Sequence, residues 1–210
     1  MFGLGADQAH TFDLIPPTPL ALRPGQIVFV TGPSGSGKST LLRLIAQELA
    51  AHDTVRVLDF AALPDPPDAA VIDAVDGGTL PLDRVLRLLS LAGLNDAFVM
   101  LRRPAELSDG QRYRFRLAQA ISQVETAPPT GLVVVLADEF GATLDRTTAA
   151  ALSQNIRRWI DQTRDDPGLP GVCFIAATTH DDLLEPLNPE TLLEKHLGSG
   201  IDVVEADRGH

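Results

Sequence analysis

One short segment combines glycines, a lysine and hydroxyl groups at a spacing suited to phosphate binding. Residues 32–40 are GPSGSGKST and fit the pattern G-x-x-x-x-G-K-[ST]. Glycines let such a loop curl until its backbone N–H groups point at phosphate oxygens, and a following helix N-terminus adds partial positive charge. Lys38 is expected to reach the β- and γ-phosphates, Ser39 to ligate Mg²⁺ and Thr40 to contact the α-phosphate. The predicted ATP-binding loop consists of Gly32, Pro33, Ser34, Gly35, Ser36, Gly37, Lys38, Ser39 and Thr40.

Two consecutive acids follow the most strand-like run in the chain, LVVVLA at 132–137. At the carboxyl end of a parallel strand, Asp138 and Glu139 would lie in the crevice where ligands bind. Asp138 is placed to hold Mg²⁺, directly or through water, and Glu139 to accept a proton from the attacking water or to orient it. Acids at strand ends are common and are usually solvated, but the phosphate loop favours the catalytic interpretation.

A second anion site is indicated by the segment LSDGQ at 107–111. Ser108 is suited to cap the helix that follows, and Gly110 would let a phosphate approach the backbone. An ordinary capped helix start would explain the same five residues. They are Leu107, Ser108, Asp109, Gly110 and Gln111.

Strands that alternate with helices must position these segments. Strands are predicted at 26–30, 55–60, 70–72, 132–137 and 172–177, and helices at 40–49, 82–91, 108–121 and 146–163. This order favours an α/β domain with a mostly parallel sheet. The proline-rich first 25 residues are expected to form a short antiparallel edge.

Composition excludes several classes of protein. The chain has 210 residues, a net charge of −11 and one cysteine, Cys173, so it cannot form an intrachain disulfide. It contains no apolar run of the roughly 18 residues that a membrane span needs, and its first residues do not resemble a signal peptide. A cytoplasmic location is expected. The acidic chain has no general attraction for nucleic acid.

One basic cluster leaves a nucleic-acid partner open but not favoured. Its arginines either form a patch for a nucleic acid or acidic partner, or are solvated helix charges, and we favour the second interpretation. They are Arg102, Arg103, Arg112, Arg114 and Arg116.

Five segments in this order resemble the ATP-binding cassette (ABC) ATPases: GPSGSGKST, LSDGQ, VVVLADE, ATLD (142–145) and TTH (178–180). The resemblance covers roughly residues 20–185. It implies a RecA-like P-loop NTPase core with a mostly parallel sheet, a short antiparallel β edge and a reduced helical subdomain. For this chain we expect a single domain over 1–210, with the β edge and first core strand at 1–31, the core at 32–75 and 122–210, and the helical subdomain at 76–121.

The resemblance also implies a mechanism. Mg-ATP would be hydrolysed in a head-to-tail homodimer, where residues 107–111 of one subunit close the site on the other. Leu144 and Asp145 would couple the two sites, and His180 would contact the γ-phosphate, although it could instead cap the helix after it. Phe12, 26 residues before Lys38, would stack on adenine or be an ordinary core residue.

Two features depart from the transporter members of this family. They carry a magnesium-ligating glutamine between the phosphate loop and the LSDGQ-type segment, whereas Gln47 here falls inside the first helix. Asp73 or Asp76 would replace it as a metal ligand, or both are ordinary loop acids. The helical region is also short. The segments around the motifs resemble soluble ABC-type ATPases that are sometimes fused to a predicted acetyltransferase domain.

Four functions compete. The favoured one is an ATPase that drives a conformational switch in a soluble, unidentified partner or an associated domain, and the alternative is the ATP-binding subunit of an ABC membrane transporter. A chromosome-organising ATPase head would need a long coiled coil, which residues 38–107 do not contain. A small-molecule kinase would leave residues 107–111, 142–145 and His180 unexplained.

Overall fold

The fold is built on one six-stranded sheet. A computed structural model describes residues 20–198 and 200–205. The strands are β1 (Gln26–Thr31), β2 (Val55–Asp59), β3 (Leu132–Ala137), β4 (Gly171–Ala177), β5 (Thr191–Lys195) and β6 (Ile201–Glu205). Their order across the sheet is β2-β3-β4-β1-β5-β6, and every neighbouring pair is parallel except the antiparallel pair β5 and β6.

The central strands are apolar at consecutive positions because helices cover both faces of the sheet. β1, β3 and β4 are almost entirely buried, as expected for strands inside a parallel sheet. Register is fixed on both sides of β1, where Val28 is aligned with Ile175 of β4 and with Thr191 of β5.

Seven α-helices connect and cover the strands of the described chain. They are α1 (Lys38–Leu49), α2 (Val71–Ala74), α3 (Leu82–Leu91), α4 (Ala97–Met100), α5 (Asp109–Glu125), α6 (Arg146–Asp165) and α7 (Leu184–Leu187). Helix α1 packs on one face of the sheet, and α5 and α6 pack on the other. None of the helices in the described ranges is both long and apolar enough to cross a membrane.

A separate apolar cluster holds the short helices together. It joins Val71 of α2, Leu89 of α3, Val99 of α4 and Phe115 of α5, each at most 6% exposed. The main cluster lies between the sheet and α5–α6 and includes Trp159. This second cluster supports the predicted helical subdomain, although the domain boundaries remain a prediction.

The predicted fold class is confirmed, with corrections in detail. The strand predicted at 70–72 is wrong, because these residues lead into helix α2, whose Val71 and Ala74 are buried together in the second cluster. The antiparallel pair is formed by β5 and β6 near the C-terminal end of the sequence. The N-terminal edge was expected from residues that lie mostly outside the described ranges, and residues 20–25 form no strand.

Candidate functional site

The phosphate loop joins the end of β1 to the start of α1, as the sequence predicted. Gly32 has a φ of 141°, and a Cβ atom there would lie only 2.1 Å from the carbonyl oxygen of Lys195, so no other residue fits without displacing backbone. Gly37 precedes α1 with a left-handed φ of 97°. Helix α1 therefore begins directly at Lys38 and directs its N-terminus at the loop.

The strand pair β5–β6 supports this loop from behind. Lys195 is 1% exposed, and its ammonium group donates hydrogen bonds to the carbonyl oxygens of His196, Gly198 and Gly200 in the turn between the two strands. This set of acceptors satisfies a buried charge. The Lys195 carbonyl in turn lies against Gly32.

Lys38 forms hydrogen bonds within the loop and lies in the electric field of three nearby acids. Its Nζ donates hydrogen bonds to the carbonyl oxygens of Gly32 and Pro33, at 2.8 and 3.1 Å. Partial burial lowers the pKa of Lys38, while the negative charges nearby raise it. Those charges are on Asp138, Asp181 and Glu139.

A cavity of about 420 Å³ lies at the carboxyl edge of the sheet. It brings together the phosphate loop, the two acids after β3 and the segment after β4, as the topology requires for parallel strands. Its lining consists of Ser34, Gly35, Gly37, Lys38, Ser39, Thr40, Asp138, Glu139, Ala142, Thr178 and Thr179. The other three predicted loop residues, Gly32, Pro33 and Ser36, do not line it.

Glu139 occupies a backbone conformation that is unusual for its residue type. Its φ is +49°, in the left-handed region that only glycine adopts freely. Hydrogen bonds hold the turn around it: Phe140 N–H donates to Ala177 O at 2.8 Å, and Ala142 N–H donates to Glu139 O at 3.0 Å. The turn directs Glu139 to the cavity beside Asp138.

The donors present fit Mg²⁺. Ser39 and Asp138 contribute a hydroxyl and a carboxylate oxygen to the same cavity, and Mg²⁺ in nucleotide sites is held by one or two such oxygens together with phosphates and water. Within the described residues, no group of three or more His, Cys, Asp or Glu side chains could hold a metal ion.

The structure does not bring Asp73 or Asp76 to this cavity. Asp73 is exposed on α2, and Asp76 accepts hydrogen bonds from the backbone N–H groups of Gly78 and Leu80. Asp59 ends β2, next to β3, and therefore stands at the sheet edge that carries Asp138. Its carboxylate accepts from Ala61 N–H at 2.9 Å.

The segment after β4, predicted as the motif TTH, adds groups to which the sequence analysis gave no individual role. Thr178 and Thr179 line the cavity, and Asp181 accepts a hydrogen bond from the hydroxyl group of Thr31 at the end of β1. His180 lies between them but does not line the cavity, and its side chain makes no capping hydrogen bond to the turn that follows. Their position after a central parallel strand was the signal available in the sequence.

Residues 107–111 lie outside their own chain's phosphate cavity. Ser108 caps α5 by accepting from Gln111 N–H, and the Gln111 side chain accepts from Ser108 N–H in return. Leu107 is buried in the second cluster, whereas Ser108 and Asp109 are exposed. The capped helix start predicted from the sequence is therefore present.

This segment contacts the predicted coupling loop. A Cβ atom on Gly110 would lie 3.3 Å from Leu144 Cδ2. Leu144 packs partly against the main core, and Asp145 begins α6 as its N-cap. The structure thus places Gly110 beside Leu144. Phe12 lies outside the described residues.

Four arginines of the basic cluster bind groups within the chain. Arg112 donates to Leu107 O, Arg114 to Gly93 O and Arg116 to Leu63 O. Arg103 forms an ion pair with Asp68 at 3.0 Å. These contacts support the interpretation that the arginines serve the fold rather than a nucleic acid.

Comparisons with known proteins agree on one family. A family model described as "ABC transporter" matches residues 17–72. The chain is 33% identical to the aliphatic sulfonates import ATP-binding protein SsuB of Delftia acidovorans, over 79% of this chain and 67% of the relative. It is 30% identical to the sulfate/thiosulfate import ATP-binding protein CysA 2 of Agrobacterium fabrum, over 81% of this chain and 53% of the relative. The chain thus spans about half the length of the sulfate/thiosulfate relatives.

Solved structures show the same fold. A dimeric ATP-binding cassette in a post-hydrolysis state bound to ADP and Pi has a TM-score of 0.67 at 19% identity, covering 94% of this chain and 92% of that one. A second dimeric structure, of a bacterial ABC transporter cassette, has a TM-score of 0.66 at 20% identity, with the same coverage.

Proposed function

Because this chain belongs to the ABC transporter family of ATP-binding cassettes, and is therefore an ATPase, we propose that it hydrolyses Mg-ATP as a head-to-tail dimer and drives an import permease. The observation that carries this proposal is the separation of two anion-binding segments. The phosphate loop and both acids share one cavity, whereas Ser108 and Asp109 are exposed away from it. A second copy of the chain would bring its own residues 107–111 to the open side of that cavity.

The residues of the cavity divide the work of hydrolysis. Lys38 and the N-terminus of α1 would bind the phosphates, and Ser39 and Asp138 would hold Mg²⁺, which supplies charge neutralisation at the transferred phosphoryl group. Glu139 would accept a proton from the attacking water or orient that water. His180, which follows Thr178 and Thr179, would contact the γ-phosphate after closure.

The dimer interface would complete the site from the other side. Ser108 and Gly110 stand at the N-terminus of α5, a helix of 17 residues whose first backbone N–H groups would bind a phosphate despite the negative charge of Asp109. Leu144 lies beside Gly110, and residues 144–145 would transmit the state of one site to the other. The similarity to dimeric cassette structures supports this arrangement.

The names of the relatives favour a membrane permease as the partner. The similar proteins are named import ATP-binding proteins for sulfate, thiosulfate or aliphatic sulfonates. A cassette of this kind would work at the cytoplasmic side of the membrane, bound to a separate membrane-spanning subunit. This replaces the soluble partner as the favoured hypothesis.

A soluble partner remains as the second candidate because of two observations. Residues 48–106 contain no glutamine, and Asp73 does not reach the cavity to replace one as a metal ligand. Helices α2 and α4 have only four residues each, so the helical region offers little surface to a permease. The resemblance to soluble ATPases that are sometimes fused to an acetyltransferase domain fits this candidate.

Glu139→Gln tests the dimer. The variant should bind ATP, lose at least about 100-fold in kcat because the base is gone, and elute as a dimer in Mg-ATP during size-exclusion chromatography. Glu48→Gln, which changes an exposed acid on α1, should remain active. A Glu139→Gln protein that is still monomeric at saturating Mg-ATP would refute the proposed mechanism.

The same locked variant distinguishes the two partners. Tagged Glu139→Gln protein would be purified from cells with ATP, and its bound proteins identified by mass spectrometry. A protein with several membrane spans would support the importer, and a protein without any would support the soluble partner.

A further inference from the structure

Tyr113 links the helix that begins at Ser108 to the turn that carries Glu139. Its hydroxyl group accepts a hydrogen bond from the backbone N–H of Gly141 at 3.0 Å. It lies five residues after Ser108, about 7.5 Å further along the axis of α5. The chain thus contains a direct contact between the helix of one predicted site and the catalytic turn of the other.

The turn that receives this hydrogen bond is strained and tightly held. Glu139 has a left-handed φ, and such a conformation persists only where surrounding contacts determine it. Phe140 N–H is bound by Ala177 of β4 and Gly141 N–H by Tyr113 of α5. Tyr113 is therefore a partner through which movement of α5 would reach the backbone beside Glu139, in addition to the contact of Gly110 with Leu144.

Aromatic packing fixes the position of the hydroxyl group. The Tyr113 ring lies 5.1 Å from the ring of Phe60, which follows β2, and 6.5 Å from that of Phe140. Burial raises the pKa of Tyr113, so the phenol keeps its proton and the contact does not titrate near neutral pH. These ring contacts join α5 to the end of β2 and to the catalytic turn.

We propose that Tyr113 is a positioning residue. When the nucleotide in the partner's cavity contacts Ser108, Tyr113 changes the orientation of Glu139 beside the nucleotide in its own subunit's cavity. This inference rests on the proposed head-to-tail dimer. Closure of the dimer presses on the N-terminus of α5, the helix moves as a rigid body, and the Tyr113–Gly141 hydrogen bond shifts the turn. Glu139 is then fully competent only when both sites are closed, and a site that lacks this signal works about tenfold more slowly.

Tyr113→Phe tests this directly because it removes one hydroxyl group and leaves the aromatic packing in place. We expect kcat to fall about tenfold, since small misplacement of a catalytic group is costly, and the cooperative dependence of the rate on ATP to be lost. The Kd for ATP should change less than about twofold, because no phosphate contact is removed.

Thr126→Val is the matched control. It also removes one hydroxyl group, from the C-cap residue of the same helix, where Thr126 donates to Ser122 O at 2.9 Å at the end of α5 opposite to Ser108. It should keep the kcat and the cooperativity of the natural sequence. Equal losses in both variants, or an unchanged kcat and cooperativity in Tyr113→Phe, would overturn the proposal.

Dimerisation separates this inference from the proposed function. The double variant Tyr113→Phe/Glu139→Gln should still form the ATP-dependent dimer, which would place the defect after closure. If Glu139→Gln dimerises and the double variant does not, Tyr113 acts in closure itself and the inference is wrong. If Glu139→Gln also fails to dimerise, the proposed function fails first.

Discussion

The carboxylate of Asp145 accepts two hydrogen bonds from Thr148, one from the backbone N–H at 2.9 Å and one from the hydroxyl group at 2.6 Å. These bonds cap helix α6 at its N-terminus. The hydroxyl group of Thr148, followed by the backbone N–H, lowers the pKa of Asp145 below its ordinary value of 3.8. Asp145 therefore stabilises the fold in addition to any role between two sites.

This lowered pKa predicts a pH-dependent stability. A carboxylate with a depressed folded-state pKa contributes stability above its ordinary pKa, and that contribution is lost as the pH falls through the folded value. Asp145→Ala should therefore lower the Tm at neutral pH and have a smaller effect well below pH 3.8.

Thermal unfolding followed by circular dichroism at the two pH values checks this. Asp145→Asn, which keeps an oxygen that caps the helix, should retain most of the stability at neutral pH. A loss that is equally large at both pH values would contradict the assigned cause.

Lys38→Ala should abolish useful nucleotide binding. The lysine is the one cation among the residues that line the described cavity, and a lost charge-assisted hydrogen bond of about 3 kcal/mol corresponds to about 100-fold in affinity. Isothermal titration calorimetry with Mg-ATP measures the change. Gln47→Ala, an exposed change on the same helix, should bind normally, and normal binding by Lys38→Ala would exclude the proposed site.

Ser108→Arg should inactivate the site of the partner subunit rather than its own. Mixed with Lys38→Ala protein, which is inactive alone, it should recover measurable activity, because half of the pairs formed at random are heterodimers with one intact site. Those heterodimers set a ceiling of about a quarter of full activity, and the coupling proposed for Tyr113 would lower the recovery about tenfold further, because the subunit with the intact cavity lacks Ser108. Phosphate release from mixtures and from each variant alone provides the measurement.

A second substitution separates loss of the helix cap from loss of the phosphate contact. Removing the Ser108 cap costs about 1 kcal/mol, whereas Ser108→Asp keeps a capping oxygen and adds a charge that repels phosphate. Ser108→Asp should be as inactive as Ser108→Arg but more stable. Mixtures with no more activity than their components would contradict a shared site.

Much of the scaffold was predictable because its signals are local. The runs at 26–30, 132–137 and 172–177 are continuous and apolar apart from Gln26, as expected for a strand buried on both faces. The phosphate loop between strand and helix follows from its glycines and Lys38. Ser108 was predicted as a helix cap from its side chain alone, and the structure confirms that role.

Other elements depend on contacts between distant parts of the sequence. The apolar residues at 70–72 are too few to distinguish a strand from a short helix, and packing against α3 and α4 decides the outcome. Strands β5 and β6 contain several charged residues and were not predicted. They form strands because they pair with each other at the edge of the sheet, which local sequence does not show. Tyr113 and Asp181 gain their significance from Gly141 and Thr31, which lie 28 and 150 residues away.

Because Gly32 lies against the carbonyl group of Lys195, nucleotide binding at the phosphate loop is expected to affect the hairpin formed by β5 and β6. Lys195 holds the turn that joins β5 to β6, and its carbonyl lies behind the first glycine of the phosphate loop. Energetic coupling is reciprocal. If a bound phosphate stabilises the β5–β6 hairpin, a stable hairpin increases the affinity for phosphate by the same free energy. Unpairing of β6 from β5 is therefore expected to favour dissociation of the ligand.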